Sequence, residues 1–258
     1  MLDHVQLDLE AAMDAAWPAP DRHDADGWVL RAAGGVTQRA NSIWPRTTGG
    51  PDLLRARLRD ARSWYRSRRL PVIFQVFDGE PAAGLNGLLD AEGFTRQSET
   101  LVMTRGPLTG MPEDTAVELS PEPSADWLRV WWDVDGRGGA DALATARQIL
   151  QGCRSIYALV RDADGEPAAM GRLAIPAGGA HGGLYCMATR PHARRQGHGT
   201  VVLRSLLRAG EQEGLSGYWL LVTAANHGAQ ALYGKAGFTT AGSYLYRQER
   251  PRRPLTGC

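Results

Sequence analysis

The eleven residues Arg190 to Thr200, RPHARRQGHGT, hold three arginines, two histidines and two glycines. The apolar run GGLYCMAT precedes them and Val201-Val202-Leu203 follows, which reads as strand, glycine-rich turn and helix. Gly197 and Gly199 remove side chains where the backbone must curve into the helix. The first turn of a helix carries N–H groups without internal acceptors and the positive end of the macrodipole, so it attracts phosphate oxygens. Arg194 and Arg195 add charge at the same place. The chemistry that fits is phosphate or pyrophosphate binding. There is no Gly-Lys-Ser/Thr of a nucleoside triphosphate loop, and no third glycine of a dinucleotide loop. A solvated basic turn uses the same residue types, and the local pattern alone leaves both readings open.

A second stretch, NHGAQALYGKAGF from Asn226 to Phe238, lies downstream. Asn226 suits a helix N-cap. Tyr233 reads either as a core aromatic or as a phenol that supplies a proton, its ordinary pKa being about 10. Taken together, P-x-x-R-R-Q-G-H-G-T and N-x-x-A-x-x-L-Y-x-K-x-G-F resemble the GCN5-related N-acetyltransferases (GNAT), through Arg194, Gly197 and Gly199 in the first stretch and Asn226, Leu232, Tyr233, Gly237 and Phe238 in the second. The resemblance covers roughly Val117 to Arg247.

The resemblance implies a site for acetyl-CoA. Backbone N–H groups from Arg195 through Gln196, Gly197, His198 and Gly199 to Thr200 would hold the pyrophosphate. Met187, Ala188 and Thr189 would pair with the pantetheine arm and polarise the acetyl carbonyl, a device suited to acyl transfer because charge develops on that oxygen. Asn226 would contact the cofactor and Tyr233 would protonate the departing thiolate. The His198 side chain is expected to face solvent, without a catalytic part. The family's glutamate base falls on about Gly183, so the base is open among His181, Tyr185, Asp133, Asp135, a water chain and an amine that arrives neutral. The implied reaction is direct transfer of an acetyl group to a primary amine of a small molecule or peptide. Cys186 has no identified base and no covalent intermediate is expected. A non-catalytic acyl-CoA sensor is the alternative.

These residues need elements to hold them. Ser124 caps a helix with Trp127, Val130 and Trp131 on one face, while Trp132 points elsewhere; a second helix ends at Gly152. Two strands follow, joined by a hairpin at Asp164-Gly165. Val202, Leu203, Leu206 and Leu207 then make an apolar helix face opposite Arg204 and Arg208. The order indicates an α/β fold with a mixed sheet. Residues 116–250 are expected to be the catalytic GNAT domain, after a proline-rich linker within Arg105 to Ser124. Residues 1–110 repeat the pattern: LLDAEGF echoes LYGKAGF at an offset of 144 (237 − 93). There Leu89 stands for Tyr233 and Ala82 for Asn226, and the glycine loop is missing. This half reads as a degenerate, shortened GNAT-like α/β domain that packs beside the active one and walls its acceptor site, with Arg39 and Asn41 contributing. One cofactor is expected per chain.

Composition bounds the rest. With 29 Lys+Arg against 28 Asp+Glu, no global field favours nucleic acid or an acidic membrane. Arg55, Arg59, Arg62, Arg66 and Arg69 read as a solvated helix face. Cys153, Cys186 and Cys258 show no metal-type spacing, so no metal is expected. No apolar run suggests export or a membrane span, and a cytoplasmic location is expected.

Overall fold

The computed structural model of the protein describes residues 2–79, 82–107, 110, 117–136 and 138–250. In chain order the elements are α1 (Leu2–Ala16), β1 (Asp21–Ala25), β2 (Trp28–Ala32), β3 (Trp44–Pro45), α2 (Pro51–Ser67), β4 (Ile73–Phe77), α3 (Ala82–Ala91), β5 (Thr95–Arg105) and β6 (Val117–Ser120). They continue with α4 (Ala125–Asp135), α5 (Ala140–Gln151), β7 (Ser155–Arg161), β8 (Pro167–Ala174), β9 (His181–Thr189), α6 (His198–Gln212), β10 (Gly217–Thr223), α7 (His227–Lys235) and β11 (Thr239–Gln248). The chain divides into two compact units. Among the described residues, no helix is long and apolar enough to cross a membrane. The expected linker lies largely outside the described residues, as does Cys258.

The first unit comprises Met1–Pro18, Val102–Val222 and Asn226–Ala241. Its strands run in the order β10-β9-β8-β7-β6, antiparallel except for the β9/β10 pair, which is parallel. Every residue of β8 is buried, because α4 and α6 both pack against it. Side chains alternate across a strand. Gly171 accordingly faces Val202 and Leu206 of α6, whereas Arg172 meets the rings of Tyr157, Tyr185 and Trp17. The α4 start is as the sequence indicates: Trp127 N donates to Ser124 Oγ at 3.1 Å. Trp127 and Trp131 are core residues, and the Trp127 indole N–H is satisfied by Gly171 O at 3.0 Å. Trp132 is half-buried and lies over Gly136 at the end of its helix.

Arg172 is fully buried. Its Nε donates to Ser155 Oγ (2.9 Å), and its two terminal nitrogens donate to Ala16 O (3.0 Å) and Leu150 O (2.9 Å). Those two carbonyls end α1 and α5, so the guanidinium sits at the negative ends of two helix dipoles and beside three aromatic rings. Neutral groups of this kind hold a charge that carboxylates would otherwise have to balance.

The second unit comprises Ala19–Leu101, Thr223–Ala225 and Gly242–Cys258. Strands β1, β2 and β3 form a small antiparallel sheet whose first turn is Asp26-Gly27, both in the left-handed region. Strand β4 pairs antiparallel with β11 from Phe77–Tyr244 to Ile73–Gln248. Helices α2 and α3 pack together over a core that includes Leu54, Leu58, Tyr65, Phe74, Leu85 and Leu89.

Candidate acyl-transfer site

The site elements belong to the first unit, except for Thr223 at the end of β10. The end of β9 is irregular. Tyr185 pairs with Arg172 and Ala188 with Met170, so three steps along β9 face two along β8. The extra residue makes a bulge, with Cys186 in the left-handed region at φ 53°. Gly171 lies inside this mismatch. A Cβ there would come within 2.5 Å of Met187 Sδ and 2.8 Å of Val202 Cγ1, so the Met187 side chain requires a glycine on β8. On its other side β9 pairs with β10 from His181–Gly217 to Leu184–Leu220. Both strands run on past that point, to Thr189 and Thr223. Met187, Ala188 and Thr189 are half-buried residues beside β10, which no longer pairs with them.

The turn that follows is held from within. Arg190 N donates to Ala168 O at 2.9 Å, Arg194 Nε to Thr189 O at 3.3 Å and Gln196 Nε2 to His192 O at 3.1 Å. Arg195 (φ 62°) and Gly197 (φ 88°) are left-handed on either side of Gln196, and alternation of this kind turns successive N–H groups toward one side. Gly197 is the N-cap of α6, no side chain caps that helix, and Gly197 O accepts from Thr200 N (2.9 Å) and Val201 N (3.1 Å). The charges sort themselves: Arg190 pairs with Asp133 at 3.1 Å, His192 approaches Asp162 at 3.9 Å, and Arg194 and Arg195 are exposed. His198 does not face solvent as expected. It is half-buried, and among the described residues its enclosed Nε2 has no hydrogen-bond partner.

Helix α7 completes the group. Asn226 caps it, with Oδ1 accepting from Ala229 N at 3.1 Å, and is otherwise exposed. Tyr233 is buried edge-on to Phe238, with ring centres 6.2 Å apart. Loss of water around it pushes its phenol up to about 12. Gly199 ties the three segments together: a Cβ built on it would lie 3.7 Å from both Thr189 Oγ1 and Leu232 Cδ2. The strand end, the turn and α7 therefore meet around the start of α6.

The candidate bases are placed apart from one another. A Cβ at Gly183 would sit 2.6 Å from carbons of Trp219 and Tyr185, so that position is filled by rings and has no room for a carboxylate. Tyr185 is a core residue, accepting from Trp219 Nε1 at 3.2 Å and stacked on Trp17 at 5.5 Å. His181 lies at the opposite end of β9, about 25 Å along the strand from Thr189. Asp133 is engaged with Arg190, and Asp135 is exposed. Reasoning from sequence missed Trp17, Arg172 and the bulge at Cys186. Cys153 and Cys186 form no disulfide.

The chain is similar to known proteins along almost its whole length. The family model described as the probable histone acetyltransferase Rv0428c C-terminal region matches residues 7–247. The chain is 27% identical over 251 residues to the uncharacterized N-acetyltransferase YobR of Bacillus subtilis, covering 94% of this chain and 98% of that one. It is also 34% identical over 123 residues to the probable histone acetyltransferase Rv0428c of Mycobacterium tuberculosis, a match that spans 48% of this chain and 37% of that protein. Among solved structures, a GCN5-related N-acetyltransferase from Kribbella flavida superposes with a TM-score of 0.69 at 18% identity, over 96% of each chain. A tandem GNAT protein of the clavulanic acid biosynthesis pathway superposes at 0.61 and 16%, over 77% of this chain and 70% of that one. With its length matched almost from end to end, the chain belongs to the Rv0428c C-terminal family and, with it, to the GNAT acyltransferases.

Proposed function

We propose that the protein transfers an acetyl group from acetyl-CoA directly to a primary amine of a small molecule or peptide. One observation carries the donor half: a helix start that no side chain caps, preceded by left-handed residues, lies at Gly199 against the end of β9, whose pairing with β10 has stopped. The residues present fit a CoA thioester. Gly199 has neither a positive φ nor a crowded Cβ position, so the folded chain itself does not demand glycine there; an approaching ligand does. The enclosed, partnerless His198 Nε2 in the same turn points the same way.

Bound acetyl-CoA supplies an activated acetyl carbonyl and a thiolate leaving group. The N–H groups of Arg195 to Thr200 bind the pyrophosphate, with Arg194 and Arg195 adding charge. Backbone groups of Met187, Ala188 and Thr189 would orient the pantetheine arm and polarise the acetyl carbonyl, on whose oxygen charge develops. Tyr233 holds its proton throughout the neutral range, because burial keeps the phenol neutral. Delivery of that proton to a thiolate of ordinary basicity, about 8.5, is uphill; burial of the sulfur in the same place raises its basicity and narrows the gap. Asn226 approaches the cofactor from the start of α7. No carboxylate stands at Gly183, so the amine arrives neutral or loses its proton to water.

Thiol release from acetyl-CoA over a panel of aliphatic, aromatic and peptide amines tests the reading. Release that depends on one class of amine supports it. Tight CoA binding with no release for any amine overturns the transfer step and favours a sensor.

A further inference from the structure

Among the described residues, four helices end alike. After α3, α6 and α7 the closing residue is left-handed: Gly93 at φ 75°, Gly214 at 76° and Gly237 at 84°. In each, its N–H returns to the carbonyl three residues back and the next N–H to the carbonyl five back, as in Phe94 to Leu89 (2.9 Å). Helix α2 closes with the same two bonds, Arg69 to Arg66 (3.0 Å) and Leu70 to Tyr65 (3.1 Å), but its left-handed residue, at φ 56°, is Arg69. A side chain is strained where glycine is the ordinary choice. The helix dipole does not call for it, since Arg66 already lies in the last turn and Arg68 follows at the C-cap.

What distinguishes Arg69 is its place. With Arg66, Arg250 and the apolar Leu70-Pro71-Val72 it lines a cavity of about 470 Å³ in the second unit. Arg62 and Glu249 line it too, paired at 2.8 Å, and Arg62 also meets Glu92 at 2.9 Å, so that this trio carries one net negative charge. Among the described residues no carboxylate pairs with Arg66, Arg69 or Arg250. Three like charges are thus gathered in a protein whose net charge is only +1. We infer that this cavity binds a small phosphate ester. Its volume is that of a small-molecule site, guanidinium forks match phosphate oxygens, and the Leu-Pro-Val wall accepts the organic part. All of its lining residues belong to the second unit, and the inference does not rest on the acyl-transfer reading.

Phenyl phosphate titrated into the full chain by calorimetry at low salt is the test, with inorganic phosphate as a second arm. Saturable binding below about 10 mM is expected, tighter for the ester than for inorganic phosphate. Arg69→Gly suits the backbone, so it should melt no lower than the parent and yet lose about tenfold in affinity. Gly199→Glu, at the other site, should leave phenyl phosphate binding unchanged. Undiminished affinity in a folded Arg69→Gly protein overturns the inference, as does equal affinity for ester and free phosphate. Binding lost in Gly199→Glu and kept in Arg69→Gly also overturns it, because the phosphate would then sit at α6.

Discussion

Replacing Gly199 by glutamate should separate binding from folding. The ideal Cβ meets Thr189 Oγ1 and Leu232 Cδ2 at 3.7 Å, an ordinary contact, and the backbone is not left-handed. In a first helical turn a carboxylate gains about 0.3–1 kcal/mol from the macrodipole, and loss of glycine in a helix adds up to about 1 kcal/mol. The variant should therefore melt at or slightly above the parent. Its charge lies where pyrophosphate oxygens would approach. At about 6 Å and an effective dielectric near 20, two unit charges repel by about 3 kcal/mol. Screening lowers this and lost hydrogen bonds raise it, so a net cost of about 2–4 kcal/mol is expected, or roughly 30- to 1,000-fold in affinity. Calorimetry with CoA in about 0.1 M salt, alongside thermal melting, reads both quantities. A variant that melts normally and binds CoA within about threefold of the parent refutes the placement of the pyrophosphate. Gly197→Glu is a poorer probe, because φ 88° at that residue adds backbone strain to any loss of binding.

Tyr233→Phe should lower amine-dependent thiol release by about 10²-fold or more with CoA affinity nearly unchanged, and equal turnover would remove the proton-donor role. The same phenol bears on alkaline stability. Its folded pKa of about 12 exceeds the unfolded value near 10, so its contribution is intact below pH 10 and is lost as pH rises toward 12. Urea midpoints between about pH 9 and 11 should fall less steeply for the phenylalanine variant, and parallel curves would contradict the burial argument. Gly171→Ala places a Cβ 2.5 Å from Met187 Sδ and 3.0 Å from Leu206 Cδ1; a loss of about 1–3 kcal/mol is expected, and an unshifted melting curve would show that the bulge can yield. Arg172→Met leaves Ala16 O and Ser155 Oγ without the guanidinium donor and Leu150 O with the Tyr157 hydroxyl alone, which should cost about 3 kcal/mol or more in urea unfolding; a loss under about 1 kcal/mol would mean that water replaces the guanidinium.

The glycine turn, the capped tryptophan helix and α6 were legible because each is local. The cap bonds a residue three along, and an amphipathic face repeats within one helix. Strands β1 and β2 were not read, although Asp26-Gly27 is a hairpin signal. Strand β1 is polar up to its last residue, Ala25, and mostly exposed, while β2 is buried from end to end with Arg31 inside it, so neither shows the alternation that betrays a strand. An arginine in a strand reads as solvent-facing, and Arg172 is buried only because two helix ends reach it from residues 22 and 156 positions away. His198 was expected in water for the same reason: a polar residue beside glycines gives no sign of what encloses it. The bulge is legible only in retrospect, since Cys186 carries none of the glycine or asparagine usual at a left-handed position.

The bond from Arg172 to Ala16 also sets an order of events in time. Helix α1 is synthesised before the guanidinium that closes its end, which lies 156 residues later. At ribosomal rates of about 5–20 residues per second, the helix must wait roughly 8–30 s for that partner to be made. Through that interval the carbonyl of Ala16 and the ring of Trp17 lack the strands that will cover them. Completion of the first unit is therefore a late step, and the nascent chain is most exposed to aggregation and to chaperones just before β8 and β9 appear.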